Sequence, residues 1–179
     1  MSFKNTGGLN RRSFVAFSAL LLSGCGWHLR GIQEVPLESM CIDLGPNSAI
    51  GAMIKRNLRA RTDIEIVEDK EKAEAIFKLI SLNRGSSILA YNSEGQARIY
   101  SLILSARFTV TLQNGAEVIP PTTVSTSREM TWDERDYNGR AQEEQLLYQE
   151  METNIIHLIV NRLSHLTPEQ VQQAKKVDG

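Results

Sequence analysis

The chain of 179 residues has little of several residue types that define common protein classes. It contains two cysteines, three histidines and 6% aromatic residues, and its formal net charge is −1. Two cysteines argue against a disulfide-rich scaffold, and three scattered histidines do not have the spacing of a zinc site. The balanced charge argues against a nucleic-acid partner, which requires a strongly basic surface. The composition therefore predicts a globular domain with an ordinary core.

Catalytic signatures are also missing from the chain. It has no G-x-S-x-G elbow, no phosphate-binding loop of the P-loop type and no H-E-x-x-H motif. Glu143, Glu144 and Glu150 lie beside several glutamines on a predicted helix, where they are expected to form a solvated face. We therefore predict no catalytic residue, no metal site and no cofactor, and a protein that is not an enzyme.

No apolar run is long enough to span a membrane, but a short one lies near the start. Residues 14–22 are apolar and follow Arg11 and Arg12, and this run is far below the ~20 residues that a spanning helix needs. The order of basic residues, apolar run and small residues predicts a signal peptide over residues 1–24. Because of the arginine pair, export of the folded protein by a twin-arginine signal remains an alternative to ordinary secretion.

The residues Leu22-Ser23-Gly24-Cys25 end this run, and they resemble the lipobox of bacterial lipoproteins. This resemblance implies that Cys25 carries an S-diacylglycerol and an N-acyl chain, which together would anchor the protein firmly in a membrane. An aspartate directly after the lipidated cysteine resembles a retention signal for the inner membrane. This chain has Gly26 at that position instead. We therefore expect a lipid anchor in the inner leaflet of the outer membrane, with the protein facing the periplasm.

The remaining chain has the length of one domain. We predict a lipidated tether over residues 25–38, one α+β domain over 39–166 and a polar, disordered tail over 167–179. After lipidation of Cys25 only Cys41 keeps a free thiol, and its apolar neighbours predict a buried, inert side chain.

Alternation of apolar and polar residues identifies the main strand. Tyr100, Leu102 and Leu104 begin a series in which every second residue up to 112 is apolar, as in a half-buried strand. Asn114 and Gly115 predict a type I′ hairpin turn, and residues 118–132 are expected to pair back. Shorter strands are predicted at 40–44, 64–67 and 75–82, and a bulge or bend at 84–87 is expected before a further strand segment at 88–91.

Two helices are predicted from apolar residues at helical spacing. The first follows an N-cap near Ser48 and carries Ile50, Met53, Ile54 and Leu58 on one face, and the second covers about 140–163. The order of elements favours an α+β fold, with a mixed, largely antiparallel β-sheet and two helices packed on one face as an α/β sandwich.

Arginines among the strand residues are the candidate binding groups. Arg98, Arg107 and Arg128 lie within predicted strands, and a guanidinium group suits bidentate binding of phosphate. The alternative is that these arginines only form the solvent face of the sheet.

The segment Cys25-Gly26-Trp27-His28-Leu29-Arg30 resembles the mature start of the LPS-assembly lipoprotein family LptE. Gly95-Gln96 with Tyr100, and Glu143-Glu144, Glu150-Met151 and Arg162-Leu163 in the last helix, extend the similarity. The resemblance implies a scaffold and plug for the β-barrel LptD, which assists barrel assembly and delivery of lipopolysaccharide to the outer leaflet. It implies two partners, an LptD-like barrel in a 1:1 complex and lipopolysaccharide, with Arg98 and Arg128 as candidate lipopolysaccharide contacts.

Two other functions remain open at this point. One is a generic periplasmic-facing lipoprotein adaptor that binds cell wall or a transporter component, since such proteins have similar small α+β domains. The other is a lipoprotein hydrolase, which would need a nucleophile and a base that the sequence does not visibly offer.

Overall fold

The computed structural model describes residues 34–131 and 137–176. The chain divides into two units, Met1–Gly31 and Ile32–Gly179, and all described residues belong to the second. No helix in the described ranges is long and apolar enough to cross a membrane. The signal peptide, most of the tether and the end of the tail lie outside these residues.

The predicted strands and helices occur in the predicted order, and a further helix that was not predicted follows them. The described part contains β1 (Ser39–Asp43), α1 (Ala49–Arg61), β2 (Glu65–Val67), a short 3-10 turn (Lys70–Lys72), β3 (Ala75–Tyr91), β4 (Ala97–Leu112), β5 (Glu117–Thr131), α2 (Tyr137–Ser164) and α3 (Pro168–Lys176).

The strands form one mixed sheet in the order β2-β1-β3-β4-β5. β1 is parallel to both β2 and β3, whereas β3, β4 and β5 form antiparallel pairs. The α+β class and the mixed, largely antiparallel sheet are therefore confirmed.

Helix α1 begins and ends where its polar residues satisfy free backbone groups. The Ser48 hydroxyl accepts a hydrogen bond from the Gly51 amide at 3.1 Å, and the extended Thr62 donates its amide to the Leu58 carbonyl at 2.8 Å. Ile54 and Leu58 are fully buried on one face of the helix. Capping thus positions the helix, and these two side chains attach it to the core.

The core lies between the sheet and its helices. Even-numbered residues of β4 from Leu102 to Leu112 are buried, and Phe77 of β3 stacks on Phe108 with ring centroids 5.5 Å apart. Helix α2 contributes Met151, Ile155 and further aliphatic residues to the same cluster. One contiguous core therefore joins all the layers.

The turn between β4 and β5 lies at the predicted position, but it is not of the predicted type. Gly115 has a φ of +92°, and within the described ranges no residue other than glycine has a positive φ. A type I′ turn needs positive φ at both central residues, so that prediction is wrong. Instead, Asn114 Oδ1 accepts the Ala116 amide at 3.2 Å, and the Leu112 amide donates to the Ala116 carbonyl at 2.8 Å.

The predicted bend at residues 84–87 is also corrected. Pairing of β3 with β4 is regular from Ser81 to Ile88, and the register shifts lie between Leu79 and Ser81 and from Ile88 onward. Gly85 has open space around its missing Cβ and an ordinary negative φ. β3 is therefore one long strand whose irregularities flank the glycine rather than coincide with it.

Both ends of the described domain extend beyond the predicted boundaries. Val35 and Leu37, assigned to the tether, are buried, and the Val35 amide donates to Asp63 at 3.0 Å. The tail predicted as disordered forms α3, because Val171 and Ala174 fall on one helical face and are buried. The described domain thus has a third helix, held to the start of β3 by an ion pair of Lys175 with Glu74 at 2.7 Å.

Candidate functional site

The predicted lipidation site, Cys25, lies outside the described residues, so lipidation stays a prediction. The candidate contacts Arg98 and Arg128 are described, and both lie in the distal part of the sheet. We define this distal part as residues 81–91 of β3, 97–107 of β4 and 122–131 of β5.

One face of the distal part is exposed or half-exposed, and we call it the open face. Leu102 and Leu104 point into the core, and their neighbours in β4 therefore point the other way. Hydroxyl groups dominate this face, which carries only a few apolar or charged side chains. The register of strand pairing assigns the following residues to the open face: Ser81, Asn83, Gly85, Ser87, Ile99, Ser101, Ile103, Ser105, Arg107, Thr123, Ser125, Ser127, Glu129 and Thr131.

Arg128 lies on the helix-bearing face of the edge strand β5. It pairs directly with Leu102, whose side chain is buried, yet Arg128 itself is exposed. Its Nη1 donates to the carbonyl of the adjacent Ser127 at 3.1 Å. The guanidinium group is therefore placed where an anionic ligand can reach it.

Arg98 occupies a different position, near the start of β4. Arg98 is half-buried and lies four residues before Leu102 in β4. This separation corresponds to about 13 Å along a strand. Because Arg128 pairs with Leu102, the two arginines lie at separate positions along the sheet. Arg107, the third arginine of the sequence pattern, belongs to the open face on the opposite side.

A linked group of residues that the sequence did not reveal joins β3 to α2. Arg84 Nη2 lies 2.7 Å from Glu152 Oε1, and the Arg84 guanidinium lies 4.8 Å from the centre of the Tyr148 ring. The Tyr148 hydroxyl donates to the Gly85 carbonyl at 2.9 Å. Arg140 similarly covers the Tyr100 ring at 4.8 Å. No sequence signal marks these contacts, because their partners are far apart along the chain.

The electrostatics of this group follow from burial and nearby charge. Burial raises the pKa of Tyr148, the Glu144 carboxylate adds to the increase, and the Arg84 guanidinium partly offsets it. The phenol therefore stays protonated and remains a hydrogen-bond donor to Gly85. The contact that ties β3 to α2 is thus maintained across the physiological pH range.

A groove of about 540 Å³ lies between β3 and α2 beside these contacts. Its walls are formed by a short stretch of β3 and by one side of α2. The lining residues are Arg84, Gly85, Ser86, Ala141, Glu144, Gln145 and Tyr148. The groove therefore combines polar side chains with apolar surface.

Within the described ranges, no group of three or more His, Cys, Asp or Glu residues has the arrangement of a metal site. Cys41 is buried, its Sγ lies 3.6 Å from the Glu68 carbonyl, and burial followed by the Asp43 charge raises the pKa of its thiol. These findings confirm the predicted burial of Cys41, and they disfavour a thiolate nucleophile there.

Comparison with a family model gives a match over most of the domain. Residues 37–163 match the model described as LptE: Lipopolysaccharide-assembly. An LPS-assembly lipoprotein LptE from Photorhabdus laumondii is 22% identical over 165 residues, which cover 90% of this chain and 89% of the relative. The protein of the same name from Pectobacterium atrosepticum is 24% identical over 110 residues, which cover 59% of each chain.

Solved structures show the same fold. The solution structure of an uncharacterized lipoprotein B from Nitrosomonas europaea has a TM-score of 0.66 at 24% identity, covering 83% of this chain and 96% of that one. The crystal structure of the rare lipoprotein B from Shewanella oneidensis has a TM-score of 0.60 at 21% identity, covering 70% of this chain and 93% of that one.

Proposed function

The chain belongs to the LptE family of lipopolysaccharide-assembly proteins, and from this membership we propose that it acts as scaffold and plug of an LptD-type outer-membrane β-barrel. In this role it assists assembly of the barrel and delivery of lipopolysaccharide to the outer leaflet. The observation that carries the proposal is the family match over residues 37–163, which includes the whole sheet and all of the long helix α2 except its last residue.

The surface of the domain supports a position inside a barrel. The interior of a membrane β-barrel is polar, and a plug therefore needs a polar surface of neutral hydrogen-bonding groups. The open face, with its series of serine and threonine side chains around Ile103, has this character. We propose the open face as the main contact with the lumen.

The lipid anchor forms a second part of the proposal. Acylation of Cys25 would hold the domain at the inner leaflet of the outer membrane, where the barrel opens to the periplasm. Mass spectrometry of the N-terminal peptide is expected to show a triacylated Cys25. A Cys25→Ala variant would lack the acyl groups and partition into the soluble fraction, and an unmodified Cys25 in the wild type would contradict this part.

Direct lipopolysaccharide contact is proposed for Arg128, with Arg98 as a separate second position. Replacing Arg128 with Asp is expected to weaken binding of purified lipopolysaccharide roughly tenfold, because an attractive charge-assisted hydrogen bond becomes a repulsion. Arg98→Asp tests the second position, and Arg107→Asp on the open face is the matched control. Equal affinity of the Arg98, Arg107 and Arg128 variants and the wild type would reject both contacts.

The function itself is tested by detergent extraction of the tagged, full-length protein and mass spectrometry of what co-purifies. An equimolar large β-barrel is expected, together with loss of mature barrel when the lipoprotein is depleted. Normal barrel maturation without the lipoprotein would overturn the proposal. Binding to purified cell wall with no barrel partner would instead favour a periplasmic adaptor.

A further inference from the structure

Strand β3 has one edge that no described strand pairs with over most of its length. β1 pairs with β3 only from Ala75 to Lys78, and β4 occupies the other side of β3 throughout. Within residues 34–131 and 137–176, the edge from Leu79 to Tyr91 therefore has no strand neighbour. Such an edge presents backbone N–H and C=O groups that a further strand would satisfy.

The geometry of this edge is regular over a useful length. No register shift interrupts the pairing with β4 between Ser81 and Ile88, a stretch of eight residues that spans about 26 Å. Ile80, at one end, is 45% exposed, while Ile88 and Leu89 at the other end are 45% and 52% exposed. The edge is thus a straight backbone template with apolar side chains at both ends.

Helix α2 makes this edge one wall of the groove described above. Ala141, Glu144, Gln145 and Tyr148 of α2 face Ser86 and its neighbours across the cleft. The Tyr148 hydroxyl uses one lone pair of the Gly85 carbonyl, which leaves the second lone pair for another donor. Because Arg84 is held by Glu152 and stacked on Tyr148, the width of the groove is set before any ligand binds.

We infer that this groove binds an extended segment of the barrel partner by β-strand addition at the free edge of β3. The inference rests on the proposed function and names the site at which one part of the partner would be held. Strand addition provides main-chain hydrogen bonds to the edge and places alternate side chains in the groove. The wall strands of a closed barrel are already paired on both sides, so the segment comes from a loop or a terminal extension that enters the lumen.

The shape of the groove favours a single strand over another folded sheet. An edge-to-edge dimer would bring a second helical wall, the α2 of the other copy, to this edge together with its β3, and it therefore needs more space beside the groove. A single extended segment has no such wall. An edge-to-edge dimer is therefore an alternative outcome of the test, not the proposal.

The charge of the groove indicates which side chains the segment carries. Arg84 already forms an ion pair with Glu152, in which Arg84 Nη2 lies 2.7 Å from Glu152 Oε1. Glu144 is half-buried in the lining and carries a further negative charge. A segment with a lysine or arginine opposite Glu144, and an aliphatic residue near Ile88, matches these features.

A pair of tryptophan variants tests the position of binding. Ser86 pairs with the buried Leu102 and lines the groove, whereas Ser93 is exposed in the turn that follows β3 and belongs neither to the groove lining nor to the open face. Ser86→Trp would fill the groove and is expected to lower capture of the barrel by about tenfold. Ser93→Trp is the matched control in the turn after β3 and is expected to capture the barrel as the wild type does.

A charge-reversal pair tests the same site without adding bulk. Glu144→Arg is expected to lower barrel capture several-fold, and more strongly at low salt. Glu143→Arg adds the same charge to the exposed neighbouring position outside the lining, and is expected to have little effect. If Ser86→Trp loses its cooperative thermal transition, the Glu144 and Glu143 variants decide the question.

Hydrogen exchange distinguishes strand addition from side-chain contact. In an antiparallel pair, alternate residues direct their N–H groups away from the neighbouring strand. In the free protein, the edge-facing amides of residues 81–88 are expected to exchange fast, and in the purified complex they are expected to slow at least about tenfold. If the edge instead formed a dimer, hydrogen exchange of the same amides would slow in a self-associated sample of the protein that contains no barrel.

The outcomes separate this inference from the proposed function. Loss of capture by Ser86→Trp and Glu144→Arg, with both controls intact and the edge amides protected, supports strand addition. Equal capture by all four variants, loss in both members of either pair, or unprotected edge amides in the complex overturns the inference but leaves the plug role intact. Absence of a barrel from the wild-type extract overturns the proposed function and this inference together.

Discussion

The two ends of the sheet bury their residues differently. In the proximal part, which contains β1 and the start of β3, the consecutive residues Met40 and Cys41 are both buried, so both faces of the strand are covered. In the distal part, Leu102 is buried while the next residue, Ile103, is 41% exposed. Only one face of the distal sheet is covered.

The difference follows from how the strands are connected. β1 lies between β2 and β3 in parallel pairs, and parallel strands are usually covered on both faces. The antiparallel distal strands alternate between a core face and an exposed face. The proximal part therefore has both faces covered, and the distal part has one face available for partners.

The largest expected effect comes from the proximal aromatic pair. Phe108 is fully buried against Phe77, so Phe108→Ala is expected to lower the free energy of unfolding by about 3–5 kcal/mol. Ile103→Ala on the open face is the matched control, with an expected change of about 0.5 kcal/mol or less. Urea denaturation of both variants measures the contrast, and similar losses would contradict the division into two parts.

Helix α3 provides the next largest expected effect. Val171 is 3% exposed, and Val171→Ala is expected to cost about 2 kcal/mol in the free energy of unfolding. Gln172→Ala, at the adjacent exposed position, is expected to leave that free energy nearly unchanged. If both variants unfold at the wild-type urea concentration, α3 does not contribute to the proximal core.

In the distal part, we expect a smaller effect from the contact between α2 and β3. Tyr148→Phe removes the hydrogen bond to the Gly85 carbonyl, and the expected loss in the free energy of unfolding is about 1 kcal/mol. Tyr91, which is 63% exposed, is the control, since Tyr91→Phe removes a hydroxyl at the protein surface. If Tyr91→Phe lowers the free energy of unfolding as much as Tyr148→Phe does, the hydrogen bond from Tyr148 to Gly85 does not specifically stabilise the contact between α2 and β3.

The smallest effect concerns a surface ion pair beside the proximal part. The hydrogen bond from Lys55 Nζ, at 2.6 Å, lowers the pKa of Glu68 from its ordinary value of 4.5. A carboxylate with a lowered pKa stabilises the folded state above about pH 4.5, and this stabilisation is lost as the pH falls through the lowered pKa. Tm values of wild type and Glu68→Gln are therefore expected to differ slightly at pH 7 and to converge as the pH falls below the lowered pKa.

Several elements were predictable because their signals are local. Every second residue of β4 from Leu102 is apolar, and a strand has a period of two. The second helix was predicted from about Arg140 to Leu163 and extends from Tyr137 to Ser164. The burial of Cys41 was also predicted, because its neighbours are apolar. In each case the residues that decide the structure are adjacent along the chain.

Elements that depend on distant partners were missed. The tail appeared polar because only Val171 and Ala174 of α3 face the core, and their burial depends on packing against strands far away in sequence. The error in the type of the Asn-Gly turn has a local cause instead, because Asn114 satisfies the Ala116 amide, two residues away, with its side chain.

The sequence by itself determined the α+β class, the long hairpin and the family resemblance, since periodicity and short motifs specify these locally. Only the tertiary structure decided that no strand of the described residues pairs with this edge of β3 beyond Lys78 and that α2 forms a groove beside it. The Tyr148 hydroxyl and the Gly85 carbonyl that join these two elements are 63 residues apart. No local pattern marks such a contact, because it exists only once the sheet and the helix have packed together.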